Sequence, residues 1–122
     1  MKKILTYTFL LCLLSGTAQA KVVTEKDLQD CGAQFNCVKK TAFHARERME
    51  KVFKAILMTY NPKKQAELKS AHKDFIKYRQ KFCAIYSLQG STPSPVMAER
   101  CEAQLNVQYT RMLDDILINI HS

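Results

Sequence analysis

From Cys37 onward, apolar side chains recur at Val38, Ala42, Ala45, Met49, Val52, Ile56 and Tyr60, in steps of 4, 3, 4, 3, 4 and 4. Such steps bring every one of these residues onto a single side of an α-helix, and a strand would scatter them over both faces. The stripe stops at Asn61-Pro62, where Asn suits a helix cap and Pro suits a first helical position, whose N–H has no intrahelical acceptor. A second stripe begins at once: Leu68, Ala71, Phe75, Tyr78, Phe82 and Ile85, with Lys63, Lys64, Lys69, Lys73, Lys77 and Lys81 on the outward positions. Two long helices joined by so short a turn are predicted to lie antiparallel.

The segment Gln89-Gly90-Ser91-Thr92-Pro93-Ser94-Pro95 breaks the second helix, and Ser94-Pro95 repeats the cap-then-proline start. The third long helix is predicted to face inward with Met97, Cys101, Leu105, Gln108 or Tyr109, Met112, Ile116 and Ile120. Thr24 with Asp27 three residues on reads as a capping box opening one or two further turns, which end at Cys31-Gly32. No strand pattern longer than four residues and no internal repeat occurs. The fold class expected is all-α: a small disulfide-bonded bundle with a long antiparallel helical hairpin and a third, C-terminal helix.

The N-terminus explains how so small a bundle can be braced. Met1-Lys2-Lys3, an apolar run from Ile4 to Leu14, and Ser15-Gly16-Thr17-Ala18-Gln19-Ala20 form the charged, apolar and small-residue order of a secretory signal peptide. Cleavage is expected after Ala20, leaving residues 21–122 as a single domain. The apolar run falls short of the roughly 20 residues that span a bilayer, so no membrane anchor is expected after processing. Cys12 follows Leu10-Leu11, where a lipoprotein signal would place a small residue, so lipidation is not expected there. The predicted location is the bacterial periplasm or the exterior.

Four cysteines remain in the mature chain, Cys31, Cys37, Cys83 and Cys101, and an even count in a short exported protein reads as two disulfides. Their spacings of 6, 46 and 18 lack the close pairs of a metal site, so no metal or other cofactor is expected. In an antiparallel hairpin Cys37 and Cys83 share one pole, and Cys101 returns to it. The preferred pairing is Cys31 with Cys37 and Cys83 with Cys101, each closing a local loop; the spacing also permits Cys31 with Cys83 or Cys37 with Cys101.

The arrangement resembles the LprI-like family, small exported bacterial proteins named for a lysozyme inhibitor. The carrying residues are Asp30-Cys31, Cys37, Leu68-x-x-Ala71-x-x-x-Phe75-x-x-Tyr78-Arg79-x-x-x-Cys83, Gly90-Ser91 with the prolines that follow before the third helix, and Cys101-x-x-x-Leu105. The likeness runs over roughly Asp30 to Leu117. The chain departs from the family pattern where tryptophan usually stands at Phe75, glutamine at His72, an acid at Gln80 and arginine at Tyr109. In the first long helix a leucine, an asparagine and a tyrosine usually stand at Met49, Glu50 and Phe53. The resemblance implies a non-enzymatic binding protein, with lysozyme as the named partner.

Without Lys2 and Lys3 the chain keeps 17 basic and 11 acidic side chains, a surplus of +6. Such a surface favours anionic partners. The run Lys39-Lys40, Arg46, Arg48, Lys51, Lys54, Lys63-Lys64, Lys69, Lys73, Lys77 and Lys81 suits lipopolysaccharide phosphates or anionic wall polymers, although lysines also simply fill exposed helical positions. Nucleic acid is not expected, given the export signal and the lack of a binding motif. A lysozyme of the common animal type is strongly basic and would be repelled unless an acidic patch faced it. The acids noted for this purpose, Asp27, Asp30, Glu47, Glu50, Asp114 and Asp115, form no block.

The candidate partner-binding residues are Tyr78, Arg79, Gly90 and Ser91. Arg79 is read either as a bidentate partner for a carboxylate or as an internal anchor of the disulfide pole. The loop around Gly90 and Ser91 is read either as a recognition element or as a plain connection. His44 and His72 stand 17 and 11 residues from Asn61, out of register by about 9 Å at the helical rise, so no shared histidine site is expected. No Ser, His and Asp set has the spacing of a catalytic triad, and no enzyme activity is expected.

Overall fold

The computed structural model describes residues 21–88 and 94–121, and all regular structure among them is helical. The elements are α1 (Glu25–Cys31), α2 (Phe35–Thr59), α3 (Pro62–Tyr86) and α4 (Pro95–His121). The signal-peptide expectation for residues 1–20, and Gly90 and Ser91, lie outside the described residues.

The helix ends follow from local chemistry. At α1 the Thr24 hydroxyl accepts from the Asp27 N–H, and Asp27 Oδ2 accepts from the Thr24 N–H at 2.9 Å. Gly32 ends the helix at a φ of 57°, a conformation that L side chains rarely adopt. Nothing lies within 4 Å of where its Cβ would stand, so the demand is on backbone conformation rather than on space. Asn61 Oδ1 caps α3 by accepting from the Lys64 N–H at 2.9 Å, with Pro62 first in the helix. Ser94 caps α4 through the Met97 N–H at 3.3 Å, with Pro95 next.

Contacts set the direction of each helix. Ala42 packs with Ala103, Ala45 with Val107, and Arg48 pairs with Asp114, so α2 and α4 run parallel. His72 meets Tyr109, Arg79 meets Asn106, and Cys83 is bonded to Cys101, so α3 runs against α4. Phe53 stacks on His72, and Gln65 Nε2 donates to the Leu57 carbonyl at 2.7 Å across the turn, as antiparallel α2 and α3 require.

The tightest pair is α2 with α4 rather than the sequential hairpin. Small side chains explain this. Ala42, Ala45 and Ala103 stand at the contact and let the two backbones approach, whereas α3 is held off by His72, Phe75, Arg79 and Tyr109. The main core joins Met49, Val52, Phe53, Ile56 and Leu113, flanked by Leu68, Phe75, Ile76, Tyr109 and Leu117. Above it, Val23 covers Ala45 and Val107, and Leu28 covers Ala42 and Ala103, so the segment entering α1 and α1 itself close the α2/α4 groove.

The stripe expected on α2 is buried from Val38 to Ile56, with Phe53 added. On α3 the buried face is turned by about one position from that expected: Arg79 and Cys83 are buried, while Tyr78, Phe82 and Ile85 are exposed. On α4 the buried residues are Cys101, Ala103, Asn106, Val107, Thr110 and Leu113, and Met112 is exposed. Both shifts have one cause. Close helix contacts select small or internally paired polar side chains, and a stripe of the largest apolar residues passes over them.

Candidate partner-binding surface

The start of α2, the end of α3 and the start of α4 form one pole. Cys31 is bonded to Cys37 and Cys83 to Cys101, with Cα separations of 5.4 and 5.5 Å. These are the two pairs that close local loops. A third element of the pole had no apolar signature in the sequence. Arg100 on α4 reaches back to α1, where Nη1 donates to the Leu28 carbonyl at 2.7 Å and Nη2 to the Gly32 carbonyl. A cation placed on the last carbonyls of a helix satisfies acceptors that have no intrahelical donor and faces the negative end of its dipole.

Tyr78 and Arg79, adjacent in sequence and about 100° apart around α3, part company, the first exposed and the second buried. Arg79 is 8% exposed, and its Nη1 donates to Asn106 Oδ1 at 2.9 Å, while Nε is buried without a partner. Burial pulls the Arg79 guanidinium below its ordinary pKa; the field of Glu102 opposes that pull and Arg46 adds to it. Arg79 therefore joins α3 to α4. Tyr78 is half exposed and stacks on Phe82 at 5.7 Å, and Phe82 leans on Tyr86 at 6.4 Å. Phe82 and Tyr86 also wall a shallow groove against α4, floored by Cys101 and Leu105 and edged by Gln104 and Gln108.

Charge is divided between the helices. In α2 six basic side chains stand against two acidic ones, and in α3 seven against two. In α4 the balance reverses, with Glu99, Glu102, Asp114 and Asp115 against Arg100 and Arg111, and α1 carries Glu25, Asp27 and Asp30 against Lys26. Both arginines of α4 are occupied, Arg100 by the α1 carbonyls and Arg111 by Glu25 at 3.0 Å. Glu99 and Glu102 line a depression with Phe35, Pro95 and Ala98, in which Phe35 is 39% exposed. Sequence reasoning missed this pair. Their spacing of three residues around Cys101 was the available signal, but Phe35 joins them only once α2 and α4 lie side by side.

His72 occupies the junction of the three long helices. Its Nδ1 is 2.8 Å from the Tyr109 hydroxyl, its Nε2 is 3.7 Å from Glu50 Oε1, and its ring stacks on Phe53 at 4.0 Å. Phe75 stacks on Tyr109 at 3.9 Å. Glu50, Phe53, His72, Phe75 and Tyr109 are all positions at which the chain departs from the pattern it resembles, and they form one connected set. Burial holds the His72 pKa below its ordinary value against the pull of Glu50 and with the help of Arg79. Burial, then Glu50, raises that of Tyr109 and keeps its hydroxyl protonated. His44 instead meets the edge of Phe43. Among the described residues no group of three or more His, Cys, Asp or Glu side chains is placed to hold a metal ion.

Fold and surface together define a disulfide-braced helical bundle with its charge separated between two sides. The family follows from comparison: residues 25–113 match the model of the lysozyme inhibitor LprI family, and the chain belongs to that family. The match opens on the first residue of α1 and closes on Leu113, a buried member of the main core. No curated protein and no solved structure matches the chain.

Proposed function

We propose that the protein is exported, has no catalysis of its own, and inhibits a lysozyme by covering part of its surface. Membership of the lysozyme inhibitor LprI family supports the partner class. No helix among the described residues is long and apolar enough to cross a membrane. Export also suits a chain whose two disulfides need an oxidising compartment.

The observation that carries the docking side is the acidic surface of α1 and α4. A net-positive protein meets a basic enzyme with repulsion unless it presents its acids. Here the two arginines of α4 are drawn into internal contacts, which leaves Glu99 and Glu102 beside the exposed ring of Phe35. An apolar anchor edged by carboxylates fits a basic protein surface. In this reading Arg79 is a positioning residue that fixes α4 against α3, and Tyr78 faces away from the lysozyme.

The test is cell-wall lysis by lysozymes of the animal, goose and invertebrate types with the oxidised protein added over a salt series. Inhibition of at least one type is expected. It should weaken with salt and fall several-fold in the Glu99→Gln/Glu102→Gln variant. Absence of inhibition for every type overturns the function. Full inhibition by the double variant overturns only the docking side.

A further inference from the structure

We propose a second interaction surface: the outer side of the last three turns of α3 docks on an anionic lipid membrane surface, independently of any lysozyme binding. Of the three long helices α3 is the least covered, with only Arg79 and Cys83 buried. Its outward side carries Tyr78, Phe82 and Ile85, and Leu88 follows just beyond its end; these four are 54, 41, 70 and 58% exposed. Steps of four, three and three keep them along one side of the helix. Lys77 and Lys81 are exposed on that same side, and neither has an ion-pair partner among the described residues.

Two features choose a lipid surface as the occupant. The first is charge: between Asp74 and Glu99 the sequence contains no acidic residue, although it holds Lys77, Arg79 and Lys81. Nothing in this stretch repels phosphate. The second is the mixture of groups. A soluble polyanion would need only the lysines. Exposed Tyr, Phe, Ile and Leu beside lysines match the boundary between headgroups and acyl chains, where aromatic and aliphatic side chains enter and ammonium groups stay at the phosphates. The site is peripheral.

The chain contains no tryptophan, so Phe82→Trp places a single indole reporter in the surface. The oxidised protein is mixed with vesicles of phosphatidylglycerol and phosphatidylcholine in equal parts, and separately with pure phosphatidylcholine. Expected are a blue shift and co-sedimentation with the anionic vesicles alone, both weakened by salt. Lys77→Gln/Lys81→Gln is expected to reduce partitioning about fivefold for each lysine removed. Tyr78→Ser and Phe82→Ser should each reduce it as well. All of these side chains are exposed, so circular dichroism should be unchanged. No binding to anionic vesicles at low salt overturns the proposal. So does equal binding to soluble polyphosphate that is indifferent to Phe82→Ser, because that result assigns the lysines to a soluble polyanion.

Discussion

Arg79 is a buried cation whose hydrogen-bonded partner is a neutral amide, which makes it costly to keep and more costly to remove in part. Arg79→Ala leaves Asn106, 1% exposed, without its donor and is expected to cost about 2–3 kcal/mol in urea unfolding. Arg79→Met combined with Asn106→Leu should recover most of that loss, since removing both partners leaves no orphan. His72 gives a pH dependence whose sign is fixed. Its folded pKa lies below the ordinary histidine value of 6.5, so the unfolded chain binds the proton more readily in the interval between the two. Stability is therefore full above that ordinary value, falls as pH drops below it, and levels off once the folded protein is also protonated. Urea midpoints near neutral and mildly acidic pH should show the fall, and His72→Gln should remove it.

At the scale of elements, α1 is the most dependent piece. It is held by its capping box, by Leu28, by the Cys31–Cys37 bond and by Arg100. Arg100→Ala removes two charge-assisted bonds and is expected to cost about 1–3 kcal/mol. Amide exchange localises the effect: the amides of α1 should lose protection while those of Met49 and Ile56 in α2 keep theirs. Arg100→Lys should fall between, because one ammonium group cannot match the fork that spans both carbonyls. The three proline- or threonine-marked starts and the whole α2 stripe were legible in the sequence, because capping chemistry and a long unbroken repeat are local signals. The inward faces of α3 and α4 were less so. Arg79 and Asn106 are buried and His72 is half-buried through partners on other helices, Thr110 is buried with its hydroxyl donating to the Asn106 carbonyl one turn back, and Ala103 is buried through a close approach, and none of these circumstances leaves a mark on hydrophobic spacing.

Across the whole molecule, the surplus of positive charge visible in composition conceals a division into a basic side on α2 and α3 and an acidic side on α1 and α4. Composition supplies the sum, but only the parallel placement of α2 and α4 brings Phe35 to Glu99 and Glu102. Tyr78, which its spacing places on the inward stripe of α3, is half exposed, and Arg79, outside that stripe, is buried against Asn106. The disulfides act on the same scale. The Cys83–Cys101 bond closes a loop of 18 residues and the Cys31–Cys37 bond one of 6, so Cys83→Ser/Cys101→Ser is expected to cost about 3 kcal/mol and Cys31→Ser/Cys37→Ser about 2. Thermal unfolding of the two double variants should rank them in that order.

The Cys83–Cys101 bond also spans the whole connection between α3 and α4. A protease that severs the backbone once anywhere inside that connection releases nothing, because the two fragments stay covalently joined and remain interlocked through Arg79, Asn106 and the aromatic contacts. The nicked molecule would run as one species on a gel until a reductant is added.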